Sequence, residues 1–280
     1  AHFIHHVATF IQVSNLIVLL TEDVLKIVES KISLVEQQEH VFLLKDIYLI
    51  PPSYKMKTDI YSKKYGYLQL LDYNELLRLA VKNNQIIEIN QKIGQFITQN
   101  HSILTVYHQK EALLEDYQPI ITVGRERTTM QNEEFALRKI VEITLRAISP
   151  AINDPNTAID CIHHLGLALG EVCRLDGHYL IYNDYQSKAR VIVPQKPFQE
   201  ILYLTFYQIS YYGREDISVI LAILEALKII VEKGSKEIKR IVWGFSHYIL
   251  EGVNFEQLRQ LDQKNIQDKI SGLKKLCQTD

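Results

Sequence analysis

Two prolines, Pro150 and Pro155, constrain this chain more than any other local feature. Proline fixes φ and has no amide hydrogen, so neither residue can sit inside a regular helix. Apolar residues nevertheless recur at helical intervals on both sides of the pair. Upstream, Thr128 with Gln131 has the spacing of a capping box, and the helix it opens is expected to run to Ile148, where Ser149-Pro150 ends it. Downstream, Asp154-Pro155 restarts a helix: the carboxylate caps free amides, and proline suits the first helical position. Ala158, Ile162, Leu165, Leu169 and Val172 supply the buried stripe of that second helix. Residues 149–155 therefore read as a sharp corner between two helices.

The same reading extends over the rest of the chain. Phe3, Val7, Phe10 and Ile17 mark a helix to about residue 20, and Val24, Ile27, Val28, Ile32 and Val35 mark a second over about 22–38. Pro51-Pro52 closes this region. Between about residues 60 and 110 the pattern shortens to strands at 65–70, 86–89, 92–97 and 102–107, around a helix at 72–83. The run Ile93-Gly94-Gln95-Phe96-Ile97 through Ile103-Leu104 resembles a hairpin of a barrel-sandwich fold, without a carrier-type lysine at its tip. Residues 179–193 read as a β-hairpin, and residues 197–275 as two or three helices divided near Gly213, Gly234 and Gly252. The expected fold class is α+β, mainly helical, with a small β module and a hairpin. Its segments are 1–58, 59–124 and 125–280.

Composition narrows the function classes. A formal charge of −2 gives no general attraction to nucleic acid, and no nucleic-acid partner is expected. The three cysteines, Cys161, Cys173 and Cys277, lack ligand or disulfide spacing and read as reduced thiols of a cytosolic environment. No stretch carries the roughly 18 uninterrupted apolar residues of a membrane span. Ile217 to Val231 comes nearest, but it is short, contains Glu225 and Lys228, and reads as a core helix. The chain opens on Ala1 without a signal peptide, as a fragment or a processed chain would.

The densest polar constellation straddles the proline corner. Glu134, Arg138, Glu142 and Arg146 follow at four-residue steps, an alternating ladder of charge on one helix face. One reading is a solvated face with weak ion pairs. The other is a polar network at an interface, in which Arg146 meets Asn153 or Asp154. The oxygens of Asn153 and Asp154 suit a cation, and the following helix start suits an anion, but the plain N-cap is favoured for Asp154. His2 and His6 share a helix face with metal-compatible spacing, yet no further ligand stands near them in sequence. Asp160 and His164 are spaced for a hydrogen bond, and Cys161 with His164 for a nucleophile pair, without an oxyanion site beside them. Tyr203, Tyr207, Tyr211 and Tyr212 with Phe206 suit core packing or a subunit interface. Phosphate-binding loops, dinucleotide fingerprints and nucleophile elbows are absent from the sequence, so no catalytic residue, metal or cofactor is expected.

The run from Glu133-Glu134-Phe135-Ala136-Leu137-Arg138 to Ser149-Pro150-Ala151-Ile152-Asn153-Asp154-Pro155-Asn156-Thr157-Ala158 resembles the signature of a bacterial predicted membrane-protein family, domain of unknown function 2254. Phe3-Ile4-His5-His6-Val7-Ala8, Gln12-Val13-Ser14, Gly66-Tyr67-Leu68-Gln69 and Tyr211-Tyr212-Gly213-Arg214 match it too, in order. Ala151 stands where glycine is expected, and Asn156 where an aromatic is common. The resemblance implies transmembrane helices ahead of Phe3, making residues 1–58 membrane-proximal. It places the chain on the cytoplasmic side of a bacterial inner membrane. A homo-oligomeric assembly or gating domain of a channel or transporter is the leading expectation. A sensor or scaffold for an unidentified small ligand is the alternative, and a membrane-tethered enzyme comes last.

Overall fold

A computed structural model describes residues 2–37, 40–110, 117–128 and 131–278, with side chains from residue 13 onward. The fold is α+β, with a six-stranded and a three-stranded sheet beside its helices. The chain gathers into two compact units, each assembled from separated stretches: residues 29–135 with 176–197, and residues 1–28 with 136–175 and 198–280. This is not the same division as three consecutive segments. Among the described residues, no helix is long and apolar enough to cross a membrane.

The first unit is built on strands. Its six-stranded sheet has the order β1-β8-β9-β4-β6-β2, where β1 is Val41–Leu44, β2 Met56–Tyr61, β4 Ile86–Ile89, β6 Ser102–His108, β8 Tyr179–Asn183 and β9 Ala189–Pro194. Every pairing is antiparallel except β4 with β9, which are parallel. The hairpin expected at 179–193 is β8–β9, and it lies in the same sheet as β4 and β6. A three-stranded sheet has the order β5-β3-β7, with β3 Gly66–Leu71, β5 Phe96–Ile97 and β7 Ile121–Gly124. The run from Ile93 to Leu104 thus passes from one sheet into the other. Helix α2, Tyr73–Lys82, is capped by Asp72, whose carboxylate accepts from the Glu75 amide at 3.0 Å. It buries Leu76, Leu79 and Ala80, one helical stripe, against a core containing Leu68, Ile87, Val106 and Val191.

The second unit is helical. Helix α1 runs unbroken from His2 to Gln37, where sequence spacing gives two helices. No glycine or proline lies near residue 21 to end the helix, and Thr21 is accommodated inside it with its hydroxyl on the Ile17 carbonyl at 2.8 Å. Ile17, Leu20, Val24 and Val28 are buried along α1. Its exposed side changes character along its length, from uncharged Asn15, Leu16, Val18 and Leu19 to charged Glu22 and Lys26.

Helix α3 is Glu133–Ala147 and α4 is Pro155–Val172. The capping box placed at Thr128 does not form the start of α3. Asn132 caps the helix instead, accepting from the Phe135 amide at 3.0 Å. Gln131 turns its amide onto the backbone N–H and C=O of Leu71, both at 3.4 Å, and takes a left-handed φ of 56°.

Among the described residues four helices follow residue 197, where two or three are expected: α5 Phe198–Tyr212, α6 Ile217–Lys233, α7 Lys236–Glu251 and α8 Gln260–Gln278. The apolar run of α6 is explained by burial, since Val219, Ile220, Ile223, Leu224, Leu227 and Ile230 are all enclosed. Helices α4 and α6 cross closely at Gly166, where an added Cβ would stand 2.8 Å from Ala226 Cα.

Candidate functional site

The proline corner is a closed backbone structure. The Ser149 carbonyl accepts from the amides of Ile152 at 3.0 Å and Asn153 at 2.8 Å, and the Asp154 amide donates to Ala147 O at 2.9 Å. Asn153 sits at a left-handed φ of 48°, a conformation asparagine tolerates better than most residues. The Asp154 carboxylate takes the Thr157 amide at 3.1 Å and the Thr157 hydroxyl at 2.6 Å. Both oxygens therefore serve the first turn of α4, as a helix cap does.

The ladder residues find separate partners. Glu134 pairs with Lys196 at 2.7 Å. Arg138 donates to Gln208 of α5 at 3.1 Å and lies 3.8 Å from Glu142, which also holds Lys139 at 3.1 Å. Arg146 is exposed, and among the described residues nothing joins it to Asn153 or Asp154. Of the six residues Glu134, Arg138, Glu142, Arg146, Asn153 and Asp154, only Arg138 and Glu142 meet one another.

The catalytic alternative does not assemble on α4. Cys161 is fully buried, and burial pushes its thiol up to about 12, far from a reactive thiolate. His164 Nδ1 lies 3.0 Å from the Thr21 hydroxyl of α1, not on Asp160 or Cys161. His2 and His6 have side chains outside the described residues. Among the described residues, no group of three His, Cys, Asp or Glu stands together as a metal site.

Two polar centres escape the sequence patterns. In the helical unit, Glu225 of α6 accepts from Lys269 of α8 and lies 3.1 Å from His163 Nε2 of α4. The Lys269 hydrogen bond, reinforced by His163, holds its carboxyl below the usual range despite partial burial. In the strand unit, Arg190 of β9 is buried and donates to Asp184 at 2.8 Å, Tyr54 at 3.1 Å, Asn84 at 2.9 Å and the Gln85 carbonyl at 3.2 Å. The only signal for it in sequence is a charged residue within an otherwise apolar strand. Gln85 is fully buried; its Oε1 accepts from Tyr117, and its Nε2 has no partner among the described residues.

The molecule is thus an α+β chain with a helix corner and dispersed ion pairs. Its sequence matches the family described as Predicted membrane protein (DUF2254) over residues 1–229, and the chain belongs to that family. It is 27% identical over 174 residues to an uncharacterized protein of Mycobacterium bovis and, equally, to one of Mycobacterium tuberculosis. Each match covers 60% of this chain and 33% of the relative, so the chain spans about a third of those proteins. No solved structure matches.

Proposed function

We propose that this chain is the cytoplasmic assembly or gating part of a bacterial inner-membrane protein of channel or transporter type. The observation that carries the reading is the exposed side of α1. Leu16, Val18 and Leu19 are exposed around Asn15, Leu19 at 59% exposure, and one turn later the same side carries Glu22 and Lys26. Residues 1–21 contain no Asp, Glu, Lys or Arg. An uncharged, mainly apolar collar that gives way to charge suits a helix leaving an apolar environment for water. Exposed Arg146, beside the corner, is then available to a neighbouring subunit. The test is ion flux through liposomes holding a longer protein that carries this chain, beside its Arg146→Ala variant. Flux altered by the substitution, with assembly intact, is the expected result; absence of flux under several ion gradients removes the channel reading.

A ligand-sensing role is the second reading, favoured by the unpartnered buried Nε2 of Gln85 beside Arg190. An unsatisfied buried donor is costly and invites a polar guest. A metabolite that raises the melting temperature of the chain, but not of Gln85→Leu, supports this reading. Equal shifts in both proteins remove Gln85 as the contact.

A further inference from the structure

The exposed face of α7 has features that the chain's own packing does not explain. Gly244 lies in the middle of this helix, exposed, and a Cβ added there would meet nothing within 4 Å. Glycine weakens a helix interior, and among the described residues no contact requires it here. Glu251 occupies the last turn, where the helix end is partially negative and a carboxylate is disfavoured. Arg240, Gly244, His247, Tyr248 and Glu251 are all exposed, and their spacing puts them on one side of α7. Neither Arg240 nor Glu251 has an ion-pair partner among the described residues.

Beside Gly244 stands an aromatic ridge. Tyr248 lies 5.8 Å from Tyr203 of α5 and 5.4 Å from Phe245, and Tyr203 stacks on Tyr207 at 5.0 Å. Tyr203 and Tyr248 remain 43% and 40% exposed. Half-exposed tyrosines beside an exposed glycine that leaves open space are the features of an interface anchor.

The geometry points to a second copy of this chain as the occupant: α7 pairs antiparallel with α7 of the partner about a two-fold axis. Arg240 and Glu251 are equidistant in sequence from the point between Phe245 and Ser246. An antiparallel partner therefore sets each Arg240 opposite the other copy's Glu251, with Gly244 opposite His247. Such self-complementarity is what a two-fold interface requires. Gly244 lets the helices approach closely, and Tyr203 and Tyr248 close over the crossing. A lipid surface would select neither the opposed charges nor their symmetric placement. The inference deepens the assembly half of the proposed function and rests on it.

The test is sedimentation of the 280-residue chain over a concentration series. Arg240→Glu and Glu251→Arg should each weaken self-association by about tenfold, and the double exchange should recover most of it. Gly244→Gln should weaken association without lowering the melting temperature. A chain monomeric throughout the series overturns the proposal. So does association indifferent to all three single substitutions, or a double exchange as weak as either single one. Flotation with vesicles that depends on Tyr248, without self-association, assigns the face to lipid and overturns it too. An oligomer that ignores these substitutions removes only this surface, whereas a monomeric longer parent removes the assembly reading as well.

Discussion

Asp184 and Arg190 form a buried ion pair of the strand unit, with side chains only 3% and 6% exposed. Burial alone would raise the Asp184 pKa, but hydrogen bonds from the Lys188 and Gln186 amides and from Arg190 outweigh it and hold the carboxyl below its usual range. An unfolded aspartate titrates near about 3.9, so the folded state binds this proton less tightly than the unfolded one. Its contribution to stability is therefore present above that value and lost as pH falls through the lower folded value. Asp184→Asn leaves Arg190 buried without its counter-charge, and about 3–5 kcal/mol of stability should disappear at pH 6.5. Urea denaturation of both proteins checks this, and the gap should narrow at pH 3. An equal gap at both pH values would show that the carboxylate's charge is not what matters there. Asp154, by contrast, spends its carboxylate on Thr157 at the start of α4, so its effect is that of a cap.

Helix α4 carries a matched pair of glycines that separates packing from propensity. Gly166 meets α6 so closely that a Cβ would come within 2.8 Å of Ala226 backbone and side chain. At Gly170 the nearest atom is Ile229 O at 3.5 Å, an ordinary contact. Gly166→Ala must push the helices apart and should cost about 1–3 kcal/mol. Gly170→Ala should be neutral or stabilise by up to about 1 kcal/mol, because alanine is the better helix former. Thermal denaturation of the two variants checks the contrast, and equal effects would mean that the α4–α6 crossing is not close at Gly166. The same logic sets Gly244 apart: its freedom from contacts inside the chain is what directs attention to a partner.

At the scale of the whole molecule, membership of a predicted membrane-protein family joins a chain in which no described helix is long and apolar enough to cross a membrane. The relatives it matches are about three times the length of the shared region, so flux and assembly are properties to measure on a longer protein. There the α7 charge exchange has a direct consequence. If the parent assembles through this face, the single exchanges lower its oligomeric state and the double exchange restores it. The Arg146→Ala variant should keep its assembly in the same measurement, because Arg146 lies on α3 and outside the α7 face.

Local chemistry made much of this protein legible from sequence. Proline geometry determined the corner between α3 and α4, and Asp154 was readable as its cap because a cap is decided within four residues. Apolar periodicity determined α2, α4, α6 and the β8–β9 hairpin, and the motif around residues 133–158 determined the family. Long-range contacts decided the rest. Gln131 left its expected box because Leu71, sixty residues away, offered a backbone pair. Lys196 took Glu134, and Gln208 took Arg138, so the ladder became separate pairings. Strand order, the parallel β4–β9 pairing and the buried Arg190 cluster join residues a hundred positions apart, and periodicity has no reach at that distance. Sequence patterns report what a residue's near neighbours require; which distant partner satisfies a charge or an amide is decided only when the chain folds and removes it from water.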